Sequence, residues 1–98
     1  MKVRIADRRL ARVVAEPDFN GGMSAPLAKK VRQRVQFLCD ASDERDLRAM
    51  ASLHFEKLKG GRAHQHSVML DKQWRLILEF EGQGTSTVAV VVAVEDYH

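Results

Sequence analysis

The sequence has few of the residues that mark disulfide-rich, disordered or membrane-spanning chains. Its one cysteine, Cys39, cannot form an internal disulfide and fits a reducing compartment. Two prolines, 6 glycines and 45% hydrophobic residues exclude a collagen-like or disordered composition. The longest apolar run, Val88–Val94, is far shorter than the roughly 20 residues that cross a bilayer, and no secretory signal is visible. We therefore expect one soluble, cytoplasmic domain over residues 1–98 with no membrane partner.

Positive charge is concentrated in the first third of the chain. Overall, 16 Lys and Arg against 13 Asp and Glu give a net charge of +3. Residues 1–34 alone hold nine basic and three acidic side chains. This segment is expected either to face a polyanion or an acidic protein, or to form a solvated helix face.

Before residue 53 the apolar residues recur at helical spacing. A helix is predicted over residues 7–15, and Glu16-Pro17 ends it because the residue before a proline is pushed out of the α region. A second helix is predicted from an N-cap at Ser24 to about residue 40. Its buried stripe consists of Leu27, Val31, Val35 and Leu38. A third, shorter helix is predicted from a cap at Ser42, with Leu47 and Met50 on its buried side.

After residue 53 the period changes to two, which is typical of strands. The alternation predicts a strand over Gln73–Glu81 and puts Trp74 and Arg75 on opposite faces. His64–Leu70 is predicted to pair with it through the two-residue connection Asp71-Lys72.

A second strand is predicted over Ser86–Glu95, and apolar residues on both of its faces indicate a central position in the sheet. One face is expected to carry Val88, Val90, Val92 and Val94. Helices followed by an antiparallel meander predict an α+β fold, with the N-terminal helices packed on one face of an antiparallel β-sheet.

A basic cluster in Lys57-Leu58-Lys59-Gly60-Gly61-Arg62 is the first candidate for ligand binding. If the segment is extended, Lys57 and Lys59 project to one side, and the glycines let a ligand approach the backbone. The G-x-x-x-x-G-K-[ST] spacing of a phosphate-binding loop is absent. The cluster is therefore either a phosphate contact or a solvated turn.

Arg75 is the second candidate, because a strand would hold its guanidinium in a fixed position. A fixed guanidinium can bind a phosphate through two parallel hydrogen bonds. The alternative is an ion pair with a cross-strand acid such as Glu95.

Two further groups of ionisable side chains are candidates: the last four residues of the chain, and a pair of histidines before the strand that contains Arg75. Glu95-Asp96-Tyr97-His98 is either a proton-transfer group or a frayed tail. His64 and His66 have the spacing of two ligands on one strand face. No CxxC or HExxH motif accompanies them, so neither a metal nor a cofactor is expected.

Four motifs taken together resemble the HigB toxins of the RelE/ParE superfamily, which belong to bacterial type II toxin–antitoxin systems. In chain order they are Leu53–Arg62, Gln65–Val68, Gln73–Leu76 and Glu95–His98. The resemblance covers about residues 1–98 in element order and is most specific over residues 53–98.

The resemblance implies a ribosome-dependent mRNA endonuclease that arrests translation and therefore growth. Metal-free cleavage of this kind uses the ribose 2′-OH to attack the adjacent phosphodiester. The resemblance also implies a cognate antitoxin with a helix-turn-helix domain. The toxin is expected to associate with operator DNA only indirectly, through this antitoxin. The antitoxin is expected at the basic helix around Lys29–Arg34 or at the active cleft.

The resemblance implies particular site residues. The catalytic positions are Lys59, Arg75, Asp96, Tyr97 and His98. The positions expected to contact RNA are Lys57, Arg62 and His54.

These positions suggest a division of roles in cleavage. Lys59 and Arg75 would supply positive charge to the transition state, while His98 or Tyr97 transfers a proton. Some relatives have a histidine where this chain has Glu56. If that segment is extended, His54 lies on the same face as Glu56, and a substituting role for His54 stays open.

Two other functions fit the resemblance. The superfamily includes toxins that act on DNA gyrase without cleaving RNA. A module retained only for antitoxin binding is the third possibility. Absence of toxicity without a partner would favour that module, and DNA damage without mRNA cuts would favour gyrase.

Overall fold

A computed structural model describes residues 1–96 and has an α+β fold, whereas Tyr97 and His98 lie outside the described residues. The first half contains β1 (Lys2–Ile5), α1 (Arg8–Ala15), α2 (Ala25–Asp40) and α3 (Glu44–Ala49). The second half contains β2 (Glu56–Lys57), β3 (Gln65–Met69), β4 (Trp74–Glu81) and β5 (Val88–Asp96). Short 3-10 turns lie at Ala51–Leu53, Gly60–Arg62 and Gly84–Ser86.

The described strands form one mixed sheet in the order β1-β5-β4-β3-β2. Strands β3 to β5 are the predicted antiparallel meander, and the short strand β2, which was not predicted, pairs antiparallel with β3. Strand β1 was not predicted, and it pairs in parallel with β5, from Lys2 opposite Val88 to Ile5 opposite Val91. The sheet is therefore mixed rather than wholly antiparallel. Four alternating residues are a weak strand signal, and their partner lies at the other end of the chain.

The first two helices begin where the sequence predicts, because side-chain caps satisfy their first amides. Asp7 Oδ1 accepts from the Leu10 amide at 2.9 Å, and Ser24 Oγ accepts from the Leu27 amide at 3.2 Å. The predicted stripe of α2 is buried throughout.

The third helix differs from its prediction at both ends. Its N-cap is Asp43 rather than Ser42, because the Asp43 carboxylate accepts from the Arg45 amide at 2.8 Å. Leu47 is fully buried as predicted, but Met50 is 40% exposed. The helix ends at Ala49 and the Met50 backbone is extended, so Met50 leaves the helix face that contains Leu47.

The β3–β4 connection is longer than predicted. Leu70 N–H donates to the Trp74 carbonyl, so three residues, Asp71, Lys72 and Gln73, turn the chain. Asp71 Oδ1 accepts from the amides of Gln73 and Trp74, both at 2.8 Å. This carboxylate supports the turn in place of the glycine that a two-residue turn favours.

Strand β5 contains an irregularity that the alternation did not predict. Leu78 is opposite Val91 and Ile77 is opposite Ala93, which leaves Val92 as an extra residue in β5. The prediction that Val88, Val90, Val92 and Val94 share one face of the strand is therefore wrong beyond Val91. Val91 and Val94 both lie opposite residues of the β4 face that packs on the helices.

The hydrophobic core lies between the three described helices and one side of the sheet, which we call the helix-facing side. Its members include Val13, Val31, Leu47, Val68, Leu76, Leu78 and Val91. The opposite side carries Ser67, Arg75 and Glu95, and we call it the arginine face. No helix among residues 1–96 is both long and apolar enough to span a membrane.

Candidate active site

Arg75 lies at the centre of the arginine face and is only 7% exposed. Its Nη1 donates to the carbonyl oxygen of His54 at 3.1 Å and to Ser67 Oγ at 3.2 Å. Its Nη2 lies 3.9 Å from Glu56 Oε1. Glu56 on β2 is directly opposite Ser67 on β3, so adjacent strands bring these groups together. The result is a fixed cation beside a carboxylate.

The backbone of His54 has an unusual conformation that serves this arrangement. Its φ is 46° and its ψ is 51°, and it is the one non-glycine with positive φ among residues 1–96. A left-handed residue other than glycine costs roughly 1–2 kcal/mol, which the surrounding structure must offset. The expectation of an extended segment with His54 and Glu56 on one face is therefore wrong, because the left-handed turn interrupts the chain. An RNA contact by the His54 imidazole stays a prediction.

Glu95 is opposite Arg75 in the sheet, as the alternative interpretation of Arg75 assumed. Its carboxylate is bound by Arg62, whose Nη1 and Nη2 donate to Oε1 and Oε2 at 2.8 Å each. Arg62 Nε also donates to Gln65 Oε1 at 2.9 Å. The hydrogen bonds with Glu95 raise the pKa of the Arg62 guanidinium above its ordinary value.

The arginine face is accessible at its charged groups. The side chains are 50% exposed for Glu56, 46% for Arg62 and 40% for Glu95. A ligand can therefore reach the groups around Arg75, while Arg75 itself is held from below by Ser67 and the His54 carbonyl.

The two lysines do not share a strand face, so that expectation is wrong. Strand β2 ends at Lys57, which is opposite His66 and therefore on the helix-facing side. Lys59 is exposed and precedes the turn Gly60–Arg62, where Gly60 has a φ of 67°. Of the basic cluster, Arg62 joins the arginine face through its bonds to Glu95. The roles expected of Lys57 and Lys59 stay predictions.

Of the three predicted catalytic residues at the end of the chain, the structure describes Asp96. Asp96 is opposite Trp74, one position away from the face of Arg75 and Glu95, and its Oδ2 accepts from Gln73 Nε2 at 3.2 Å. A catalytic role for Asp96 stays a prediction. Tyr97 and His98 lie outside the described residues, so their convergence with Arg75 stays a prediction.

The two candidate metal-binding histidines lie on different sides of the sheet, so the expectation of a shared face is wrong. His64 Nε2 is 3.7 Å from Glu79 Oε2, whereas His66 stacks on Phe55 with ring centroids 5.0 Å apart. The difference arises because β3 begins at Gln65 and does not include His64. Within residues 1–96, no group of three or more His, Cys, Asp or Glu side chains is arranged to hold a metal ion.

Burial lowers the pKa of His66 from its ordinary value of 6.5. Glu44 opposes this effect, while Arg48 and Lys57 add to it. Its Nδ1 is buried without a hydrogen-bond partner in the described part of the chain. These features indicate a neutral imidazole that belongs to the aromatic packing rather than to the arginine face.

Sequence reasoning missed Ser67 and treated Glu56 only as a departure from some relatives. Ser67 is fully buried, and its hydroxyl accepts from Arg75. A polar residue in the middle of an otherwise packed strand is a signal that could have identified it, because a buried hydroxyl needs a hydrogen-bond partner.

The basic second helix contributes less free positive charge than its composition indicates. Arg32 donates to the carbonyls of Val13 and Phe19 at 2.7 and 2.8 Å, and Arg34 donates to the Met69 carbonyl at 2.9 Å. These two arginines hold the helix against its neighbours. An antitoxin surface around Lys29–Arg34 stays a prediction, with Lys29 and Lys30 as its exposed cations.

Comparison with known proteins decides the family. The family described as the RelE-like toxin of the type II toxin–antitoxin system HigB matches residues 3–98. The chain belongs to this HigB-like toxin family. It is therefore a toxin of the RelE/ParE superfamily, and a type II toxin implies a cognate antitoxin.

A solved structure supports the fold of this toxin. The chain is similar to a YoeB/ParE toxin from Agrobacterium tumefaciens, with a TM-score of 0.60 and 16% sequence identity. The similarity covers 100% of both chains. At this identity it supports the RelE/ParE-like fold alone. Among curated protein sequences, none matches the toxin.

Proposed function

We propose that the toxin is a ribosome-dependent mRNA endonuclease that cleaves by metal-independent 2′-OH attack and so arrests translation in the cytoplasm. One observation carries the proposal: Arg75 is fixed by Ser67 and the His54 carbonyl, with the Glu56 carboxylate 3.9 Å from its Nη2. A fixed cation next to a proton acceptor is the minimum that this cleavage needs.

The chemistry assigns a role to each group. The Glu56 carboxylate takes the proton of the ribose 2′-OH, whose oxygen attacks the adjacent phosphorus. Arg75 offsets the negative charge that develops on the phosphoryl oxygens, and low exposure strengthens this effect. The 5′-oxygen leaves with a proton, and a 2′,3′-cyclic phosphate remains. Tyr97 or His98 is the proposed proton donor, and Asp96 orients a neighbour.

The basic side chains around this centre contact RNA in the proposal. Arg62 is accessible to a phosphate backbone, whereas Lys59, which is exposed and precedes the turn that carries Arg62, supplies further positive charge to the transition state. Binding of mRNA on the ribosome supplies the remaining orientation of the scissile linkage. A cognate helix-turn-helix antitoxin restrains the toxin and connects it to operator DNA.

The test is to map mRNA 5′ ends after induction of the toxin and of Arg75→Met. Methionine keeps much of the buried volume while removing the charge, so the fold is expected to survive. Wild-type toxin should produce new cuts within reading frames, and Arg75→Met should produce none. Arg45→Met is the matched control, because Arg45 is 89% exposed and pairs only with nearby Asp43 among the contacts described.

Two results would overturn the proposal. Cuts by folded Arg75→Met at the wild-type level would remove Arg75 from the chemistry. A DNA damage response without mRNA cuts would instead identify a gyrase-directed toxin.

A further inference from the structure

Arg62 and Glu95 form an ion pair with two parallel hydrogen bonds on the arginine face. Nη1 and Nη2 of Arg62 donate to Oε1 and Oε2 of Glu95 at 2.8 Å each. A phosphate group binds a guanidinium through the same kind of parallel pair. Glu95 therefore occupies the edge of Arg62 that an RNA phosphate would bind, so the carboxylate and the phosphate compete for it.

The third nitrogen of the Arg62 guanidinium is held by a separate group. Its Nε donates to Gln65 Oε1 at 2.9 Å, and Gln65 Nε2 donates to Glu79 Oε2 at 2.8 Å. Gln65 on β3 is directly opposite Glu79 on β4, so two neighbouring strands fix the orientation of this amide. Arg62 therefore keeps a contact that orients it when Glu95 is displaced.

The position of Glu95 is fixed by strand β5, where it lies directly opposite Arg75. The ion pair is exposed, because the side chains of Glu95 and Arg62 are 40% and 46% accessible. Exposed ion pairs contribute little net free energy, since water solvates the separated charges almost as well. A phosphate can therefore take the place of Glu95, but the displaced carboxylate stays beside the bound phosphate and repels it.

We propose that Glu95 is a specificity-determining residue that makes the toxin discriminate against free RNA in favour of mRNA held on the ribosome. Its carboxylate competes with the RNA phosphate for Arg62, so an RNA must displace Glu95 before Arg62 can bind it. The inference rests on the proposed nuclease function and names a source of its selectivity.

The competition affects free RNA and ribosome-bound mRNA unequally. The ribosome holds the mRNA next to the bound toxin at a high effective concentration, so the phosphate displaces Glu95 with little loss of occupancy. Free RNA at a low concentration does not saturate the toxin, so its cleavage rate falls in proportion to its weakened binding. Glu95 thus widens the difference between the two substrates without contacting the ribosome itself.

The first test measures binding of a short 2′-O-methyl RNA, which is not cleaved because its 2′-oxygen is blocked. Glu95→Gln is expected to bind this RNA about fivefold more tightly than wild type, since glutamine keeps the size of the side chain and lacks its charge. Glu81→Gln is the matched control, because it removes the same charge from an exposed carboxylate on the neighbouring strand that pairs with Arg4. Circular dichroism and thermal unfolding verify that both variants fold.

A second pair of variants separates competition for Arg62 from a general effect of charge. In an Arg62→Met background, Glu95→Gln should tighten RNA binding no more than Glu81→Gln does, because the group for which the carboxylate competes is gone. A gain that persists without Arg62 would reflect only the loss of a negative charge near the RNA.

The selectivity itself is measured as the ratio of the cleavage rate on free mRNA to the rate on mRNA-programmed ribosomes. The toxin concentration is chosen to saturate the ribosomes but not the free mRNA. Glu95→Gln should raise this ratio about fivefold, and Glu81→Gln should leave it near the wild-type value.

The proposal is overturned if Glu95→Gln binds RNA no more tightly than Glu81→Gln, including the case in which neither variant binds. It is also overturned if the gain persists in the Arg62→Met background, or if the ratio of the two cleavage rates is unchanged. Failure of the proposed nuclease function is seen separately, because the wild-type toxin would then produce no mRNA cuts.

Discussion

The carbonyl oxygen of His54 accepts a hydrogen bond from Nη1 of Arg75 at 3.1 Å, and the His54 backbone is left-handed. In this toxin, His54 therefore contacts Arg75 at the centre of the arginine face through its main-chain carbonyl. The distinction matters because the sequence predicts an RNA contact by the imidazole. Substitutions can separate the two roles.

The effect of a substitution at His54 should depend on how readily the new residue adopts the left-handed backbone conformation. His54→Gly and His54→Asn tolerate the left-handed region and should keep mRNA cleavage near the wild-type level. His54→Val should lose about 1–2 kcal/mol of unfolding free energy and most cleavage, since a β-branched residue disfavours this conformation. Urea unfolding and a cleavage assay measure both effects. Equal loss in all three variants would show that the imidazole is needed.

Ser67→Ala should impair the toxin by releasing the Arg75 guanidinium from its hydroxyl partner. Loss of an acceptor for a buried charged donor costs about 1–3 kcal/mol. The cleavage rate at saturating mRNA should fall while the apparent affinity for mRNA stays near wild type, because Ser67 positions Arg75 and is itself buried. A change confined to thermal stability, with an unchanged rate, would contradict this positioning role.

Glu56→Gln should slow cleavage by about 10²–10⁴-fold if its carboxylate is the proton acceptor. Glutamine retains the shape of the side chain, and Glu56 is half-exposed, so the fold should be unaffected. Glu81→Gln is the control, since Glu81 is an exposed strand carboxylate that pairs with Arg4. Single-turnover cleavage assays make the measurement. Similar rates for both variants would exclude Glu56 as the base.

The burial of His66 should appear in the pH dependence of stability. Because its pKa is lowered from 6.5, the unfolded chain binds more protons than the folded one between the folded value and 6.5. Stability should therefore fall as the pH drops through this interval. Urea unfolding at about pH 7.5 and about pH 5.5 measures the loss, which should be smaller in His66→Phe.

Deletion of Tyr97 and His98 should abolish growth arrest without unfolding the toxin, if the terminal segment supplies the proton donor. Among residues 1–96, the core already includes Leu76, Leu78 and Val91, which the deletion leaves in place. Growth curves after induction, together with circular dichroism of the purified variant, provide the measurement. Full toxicity of the folded deletion variant would remove both residues from the proposed mechanism.

Local signals in the sequence determined helices α1 and α2 and strands β3 to β5. Asp7 and Ser24 cap α1 and α2, and the stripe from Leu27 to Leu38 is buried as predicted. Such signals act through neighbours in the chain, so spacing alone reveals them. The motifs around Arg62, Arg75 and Glu95 likewise indicated the toxin family that the family comparison then established.

The tertiary structure decided which side chains meet. The sequence suggested Glu95 as a possible ion-pair partner of Arg75. In the structure, a turn with glycine at residue 60 instead brings Arg62 to the Glu95 carboxylate. The β5 irregularity and the left-handed His54 likewise depend on contacts between distant segments. Alternation along a strand specifies a face, whereas the partner of a buried charge depends on how strands, turns and backbone carbonyls converge in space. The sequence by itself therefore identified Arg75, and only the fold surrounded it with Ser67, Glu56 and the carbonyl of His54.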